Sequence, residues 1–385
     1  MPALQPQPPA PGRVWAHVGQ PFTPGPHDVL IVGAGRMGTA LALALHVHAP
    51  HRRTLLVEEG GLPNEDGATL LAPGVWTLAG LPDALHGAAH WTRAQLLTLG
   101  GDQLQSRPYL TLHAGAGPGR LPTPDALAGH PESLTLLNPA SVPWATPQDA
   151  LTYRPGLLAQ QAAQQAIGQG TDLLLNTRVT PHPGGQVTLE RLTVTNTHQI
   201  VTHETFTVQA RTVILATGAQ APAQAEHHLG VHTRHGRAYR QTPHLNAPSR
   251  PGSPVLHVQG LTLRPQHDAY TLIPAVHHRD PHGYEPVGGH LTGVPTGLRR
   301  ETLEDLVGLM DAAPVLATDA LHLGRSLSDV PGAWLALPHG DLHAPPGHER
   351  LDEHTFLLLG GPLADSLGLY AADQLARQIA AGSEA

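Results

Sequence analysis

Three glycines, Gly33, Gly35 and Gly38, stand in "VGAGRMG", and an acid, Glu58, follows twenty residues after the last of them. Glycines at that spacing suit a polyphosphate. The first lets the chain turn tightly, the second lets backbone approach an anion, and the third lets a helix lie close on a strand. The start of that helix offers unpaired N–H groups to phosphate oxygens. An acid at the far end of the next strand accepts hydrogen bonds from a ribose diol. Glu59 is its neighbour, but strand side chains alternate, so only one of the two faces the nucleotide; Glu58, the first position past the apolar run, is favoured. The chemistry indicated is the holding of a dinucleotide.

The surrounding elements are of the kinds this needs. Residues 29–32, "VLIV", read as a strand, "TALALALHVHA" as a helix stopped by Pro50, and "TLLV" as a second strand. Far downstream, "RTVILATGA" at 211–219 is another apolar strand with a Thr-Gly turn. "TFLLLGGPLADSLGLYAADQLARQIAAG" at 355–382 repeats the strand, Gly turn and helix order. Between Pro181 and Ala210, alternating Val, Leu and Thr predict a small antiparallel meander. The segments 77–150 and 220–350 are rich in Pro and Gly, with short strands such as "SPVLHVQGLTLRP" and a helical run, "RRETLEDLVGLMDAA".

Composition narrows the chemistry. A chain of 385 residues with 40% hydrophobic content can bury a large core. A formal charge of -8 without a run of like charges leaves no footprint for nucleic acid or an anionic membrane. There is no cysteine, which excludes thiol catalysis, disulfides and iron–sulfur clusters. There is also no lysine, which excludes a Schiff base with pyridoxal phosphate and a Walker lysine. The opening residues 1–26 are Pro-rich and read as a flexible leader without the apolar core of a signal peptide. No run is long enough to span a bilayer, so the expectation is a cytoplasmic protein.

The three blocks, in this order, resemble the D-amino-acid-oxidase-like superfamily of FAD-dependent oxidoreductases, and within it the glycine oxidase and sarcosine oxidase branch. The resemblance implies an α/β fold in which an FAD-binding Rossmann-like domain of the glutathione-reductase type is interleaved with an antiparallel-sheet substrate domain. Residues 27–76, 151–219 and 351–385 would form the first, and 77–150 with 220–350 the second. It implies FAD as cofactor, with Gly33, Gly35, Arg36, Met37, Gly38 and Glu58 or Glu59 at the ADP part. "DGATLLAPGVW" would pass the flavin ring through Thr69, Ala72 and Gly74. Val179 would touch adenine through its backbone, Thr217 and Gly218 would lie beside the cofactor, and Gly360, Gly361, Leu363 and Ser366 near the isoalloxazine.

For the substrate, "DAYTLIP" resembles a family strand whose tyrosine lines the pocket, which implies Tyr270. "LHLGRSLSDVPG" occupies the place of a Gly-Leu-Arg-Pro motif whose arginine holds a carboxylate, which implies Arg325, although Arg325 directly follows Gly324 and the proline is missing. Ser366 stands where the family carries a glycine, so its side chain is placed to crowd the pyrimidine side of the flavin. The activity implied is removal of a hydride from the C–N bond of a small amine or amino acid, giving an imine. Oxidation of a hydroxy acid and flavin binding without catalysis are the alternatives. The 28 histidines, among them His339, His343, His348 and His354, show no HExxH helix, and no metal is expected.

Overall fold

Val29, Leu30, Ile31 and Val32 are all buried, and a strand buried on both faces needs a layer on each side. The computed structural model describes residues 10–64, 67–196, 199–273, 286–287, 290–291, 299–318, 321–322 and 330–382, and both layers are present. The strand His27–Val32 pairs in parallel with Thr54–Val57 on one side and with the second half of the long strand Ile200–Leu215 on the other. Asp172–Leu174 extends this parallel sheet beyond Thr54–Val57, and Thr355–Leu359 extends it beyond Ile200–Leu215.

Side chains alternate between two cores. Val29, Ile31, Leu56, Leu173, Ile214 and Leu358 meet the helices Arg36–His48, Pro155–Gly168 and Ala364–Ala381. Leu30, Val32, Leu55, Val57, Leu215 and Leu359 face the other way, onto Val179, Val187, Leu189 and Val208. Those four belong to an antiparallel meander of Thr177–Pro181, Gln186–Val194 and the first half of Ile200–Leu215. Each fully buried aliphatic side chain contributes about 2 kcal/mol of transfer free energy.

Two departures from the sequence reading have simple causes. The leader is not free over its whole length: Val14–Trp15 adds a parallel edge strand beside Asp172–Leu174, and Phe22 is buried, edge-on to both Trp15 and Phe206. Isolated aromatics in a Pro-rich segment carry no periodicity, so only tertiary packing reveals them. The helix Ala221–Leu229 also joins the first sheet, through buried Ala221 and Ala225, although it falls in the stretch expected for the second domain.

The second sheet runs in the order 321–322, 244–245, 269–273, 261–266, 255–258, 105–113, 144–152 and 75–77. The expected boundary between residues 76 and 77 thus cuts the strand Val75–Thr77. One face is lined by Leu110, Leu112, Leu256, Leu263 and Leu272 and is covered from the helical side by Leu306 and Leu309. The opposite face carries polar residues: Thr111, His257 and Thr262 in register across three strands, and Arg264 opposite Thr271. A separate two-stranded ribbon, Gly236–Gln241 with Gly332–Leu337, stands beside the first sheet. Among the described residues no helix is long and apolar enough to cross a membrane.

Candidate active site

The glycine turn follows from steric necessity. Gly33 has φ +100, and a Cβ built on it would lie 2.7 Å from the Ala216 carbonyl oxygen. At Gly38 a Cβ would lie 1.9 Å from the Gly33 oxygen, so the helix touches the turn with no room for a side chain. The helix Arg36–His48 opens at Gly35 without a side-chain cap and without an acid in its first turn. Its N-terminal dipole therefore faces no competing negative charge of its own. Thr69 Oγ1 accepts a hydrogen bond from Arg36 N at 3.1 Å, which fixes the loop through Ala72 against the turn.

Glu58 is buried at the end of its strand. It accepts from Ala34 N at 2.7 Å, Gly60 N at 3.2 Å and the Asn64 side-chain amide at 2.8 Å. A carboxylate has about four acceptor positions, so one remains for a ribose hydroxyl. Glu59 points elsewhere and accepts two bonds from Arg178, at 2.9 and 2.8 Å. Replacing Glu58 with Gln would place an amide opposite donors and weaken FAD binding about tenfold, or about 1.4 kcal/mol. Titration of apoprotein with FAD, followed by fluorescence quenching, reads this directly; an unchanged Kd would remove Glu58 from the cofactor site.

Asp365, in the first turn of the C-terminal helix and only 4% exposed, joins segments far apart in sequence. Its Oδ1 pairs with Arg36 at 2.6 Å and accepts from the Tyr153 hydroxyl at 3.3 Å, while Oδ2 accepts from Gly74 N at 3.0 Å. Arg36 also donates to the Gly361 carbonyl at 3.1 Å. Burial, and after it the Asp365 charge, hold the Tyr153 phenol well above its usual range, so it stays a donor. The glycine turn, the 69–74 loop and the turn at Gly360 and Gly361 are therefore tied at one buried carboxylate. Gly74 (φ +60) and Gly361 (φ +70) both need the left-handed region, and Gly360 packs on Met37.

Ser366 does not stand free in the turn. Its Oγ accepts from Thr77 N at 3.1 Å and donates to Thr77 O at 2.9 Å, which draws its side chain to the strand Val75–Thr77. Leu363 caps the helix start and packs beside Trp76 and Leu96. Thr217 Oγ1 donates to Gln224 at 2.6 Å, and Gly218 has φ +58. Val179 buries its side chain in the core and lies on the outer strand of the meander.

Tyr270 is turned to the leucine-lined face of the second sheet. It is fully buried there, and its hydroxyl lies 3.1 Å from Ser133 Oγ. The alternation that puts Leu272 in the core puts Tyr270 there too, so the substrate contact expected of it is corrected. Arg325 lies outside the described residues. The opposite, polar face presents other groups. His257 stacks at 6.0 Å on Tyr109, and its Nδ1 lies 2.9 Å from Thr262 Oγ1. Burial pushes the Tyr109 phenol up to about 12 and the His257 imidazole below its ordinary value. Arg264 reaches across to donate to the Tyr153 carbonyl at 2.7 Å.

The lowered histidines fix a pH dependence. His46, His235 and His257 are all held down mainly by burial. Below the unfolded pKa of about 6.5 the unfolded chain binds more protons than the folded one, so stability is lost as pH falls from there toward the folded values. A Tm lower by a few degrees at pH 5.5 than at pH 7.5 is expected, roughly the effect of losing about 1–2 kcal/mol. His257→Asn would reduce that difference, and an acid slope identical in the variant would contradict the assignment. Sequence reasoning missed Asp365, Tyr153 and Arg264, whose partners are distant in the chain, and Arg240, which only the fold buries. It weighed His348 and His354 as metal ligands, but they bond Gln378 and the Arg211 carbonyl. Among the described residues no three His, Asp or Glu come together for a metal.

A parallel sheet with a glycine turn, an acid and a C-terminal turn beside a second sheet is the arrangement of a dinucleotide-dependent oxidoreductase. The chain belongs to the FAD dependent oxidoreductase family DAO, which it matches over residues 28–325. Its cofactor is FAD, and the uncapped helix start, the glycine turn and the remaining acceptor on Glu58 fit that group. No curated protein matches it in sequence. The fold is shared with glycine oxidase from Bacillus cereus, at TM-score 0.65 and 14% identity over 92% of this chain and 95% of that one. L-amino acid deaminase from Proteus myxofaciens in complex with anthranilate gives 0.66 and 13%, over 97% and 94%. Iminodiacetate oxidase from Chelativorans sp. BNC1 gives 0.62 and 20%, over 92% and 95%.

Proposed function

We propose that this oxidoreductase acts on a small amine that also carries a carboxylate, removing a hydride from the carbon that bears nitrogen. The observation that carries the reading is the charge at the junction of the two sheets. Three guanidinium groups, Arg36, Arg240 and Arg264, act on the single buried carboxylate of Asp365. Such an excess of buried positive charge attracts an anion of a small molecule. Glycine oxidase, L-amino acid deaminase and iminodiacetate oxidase, which share the fold, are by name enzymes of amino acids and an imino diacid, which favours nitrogen over oxygen at the oxidised carbon.

In this reading Gly33, Gly35 and Gly38 and the start of the first helix hold the pyrophosphate, Glu58 the ribose, and the loops at Thr69–Gly74 and Gly360–Leu363 flank the ring. FAD, when bound, accepts the hydride. The protein binds the anion and keeps the carbon oriented. The substrate ammonium first loses a proton to water, which frees the nitrogen lone pair; that pair forms the C=N bond as the C–H bond gives up its hydride, and the imine is hydrolysed by water to ammonia or an amine and a carbonyl compound. An absorption spectrum of purified protein, repeated anaerobically with amino acids, N-methyl amino acids and hydroxy acids, tests the reading. Flavin bands bleached by an amino acid are expected. Bleaching by hydroxy acids alone would overturn the nitrogen assignment, and protein that holds no flavin would overturn the whole.

A further inference from the structure

Arg240 lies on the ribbon strand Gly236–Gln241, paired in register with Ala333, and is only 7% exposed. Alternation along the strand places its side chain on the face of Ala238 and Thr242, both buried. The ribbon lies against the C-terminal turn: a Cβ on Gly361 would meet Pro338 Cδ at 2.7 Å and the Ala336 carbonyl at 3.4 Å. Arg240 is thereby brought within electrostatic range of Asp365, which favours its charge, and of Arg36, which opposes it.

What distinguishes Arg240 from the other buried arginines is its lack of partners. Arg52 donates to the Ile379 carbonyl, Arg107 to Thr152 and Ser253, Arg191 to Gln20 and Glu204, and Arg264 to Tyr153 and Gln266, while the half-buried Arg36 pairs with Asp365 and Gly361. Among the described residues the Arg240 guanidinium has no hydrogen bond and no ion pair. Asp365 does not bond it; the carboxylate oxygens are engaged by Arg36, Tyr153 and Gly74. Burial pulls the Arg240 pKa down only to about 10, so the group remains charged at neutral pH. A buried charge without a partner costs several kcal/mol, and such groups in folded proteins are paired or bind ligands.

We propose that Arg240 is the anion-binding residue of the active site and pairs with the carboxylate of the substrate. This deepens the functional reading above and rests on it for the identity of the anion. The planar fork of an arginine pairs both oxygens of a carboxylate and fixes its orientation. The same fork would also suit an anionic group of the cofactor, and the two sources are separable by experiment.

The holoprotein is titrated with acetate and benzoate, and with acetamide and benzamide as uncharged counterparts. Binding is followed by perturbation of the flavin absorbance and, independently of flavin, by calorimetry. Wild type is expected to bind the acids and not the amides. Arg240→Met should raise the Kd of the acids about thirtyfold or more while leaving FAD content unchanged, with Arg240→Lys intermediate because it keeps the charge and loses the fork. If Arg240→Met does not fold, Arg240→Lys decides, with a raised Kd for the acids at full FAD content as the expected result. Acid binding unaffected in the variants would overturn the proposal. So would a loss of FAD affinity with the acid Kd unchanged, which would assign the anion to the cofactor. Protein that holds no FAD yet binds acetate through Arg240 would refute the functional reading and retain the anion site. Protein that holds FAD and ignores every acid would refute the anion site and leave the flavoenzyme reading standing.

Discussion

Gly38→Ala is expected to give a protein that carries no FAD and is destabilised by about 3 kcal/mol or more. The added methyl would sit 1.9 Å from the Gly33 oxygen, 3.1 Å from the Gly33 carbonyl carbon and 3.3 Å from Ile31 Cγ2. Two of these are backbone atoms of the turn itself, which cannot rotate aside as a side chain can. Either the helix lifts from the strand or the turn opens, and both changes move the N–H groups that would meet the pyrophosphate. Gly35→Ala is an informative contrast. Its methyl would meet Thr69 Oγ1 at 3.0 Å, and a hydroxyl can turn away, so a milder loss is expected. Flavin per protein after purification and a urea unfolding curve read both variants. A Gly38→Ala protein with full flavin would show that the helix and turn do not need their close approach.

Asp365→Ala has a comparable effect for an electrostatic reason. The substitution leaves Arg36, whose side chain is 16% exposed, without its carboxylate partner and strips Gly74 N and Tyr153 of an acceptor. Breaking one side of a buried pair costs about 3–5 kcal/mol, chiefly through the charge left behind. Asp365→Asn keeps the shape and one acceptor and should fall between wild type and Ala. The double variant Arg36→Met, Asp365→Leu removes both charges and should recover part of the loss, because the buried pair itself contributes little net stability. Denaturation midpoints of wild type, Arg36→Met, Asp365→Leu and the variant carrying both form a double-mutant cycle. Additive losses would mean that Arg36 and Asp365 do not act as a pair.

The parallel sheet was legible because each of its central strands is an apolar run next to a turn. "VLIV", "TLLV", "VILA" and "FLLL" all lie where periodicity puts them. The glycine turn was legible because steric demands act at fixed spacing. Asp365 was not, since an acid in a first helical turn is an ordinary partner for the helix dipole, and its pairing with Arg36 spans 329 positions. Arg240 gave no signal either: in "GRAYRQ" it is one of two arginines on an alternating strand, and only the fold buries it. Tyr270 shows the opposite failure. The spacing from Tyr270 to Leu272 already places both on one face, but a tyrosine hydroxyl invites a polar setting, and Ser133 satisfies it from within the core.

The strand Ile200–Leu215 serves the meander with its first half and the parallel sheet with its second. This has a consequence for how the protein comes into being. His27–Val32 cannot complete its pairing until that strand has emerged from the ribosome, and Leu215 in turn waits for Leu357. Contacts so remote in the chain form slowly, because loop closure precedes any gain. The glycine turn is made early, yet Arg36 waits for Asp365 and Gly361, more than 320 positions further along the chain. Until those partners are made the nascent chain exposes apolar strands, a state in which association with other chains competes with folding.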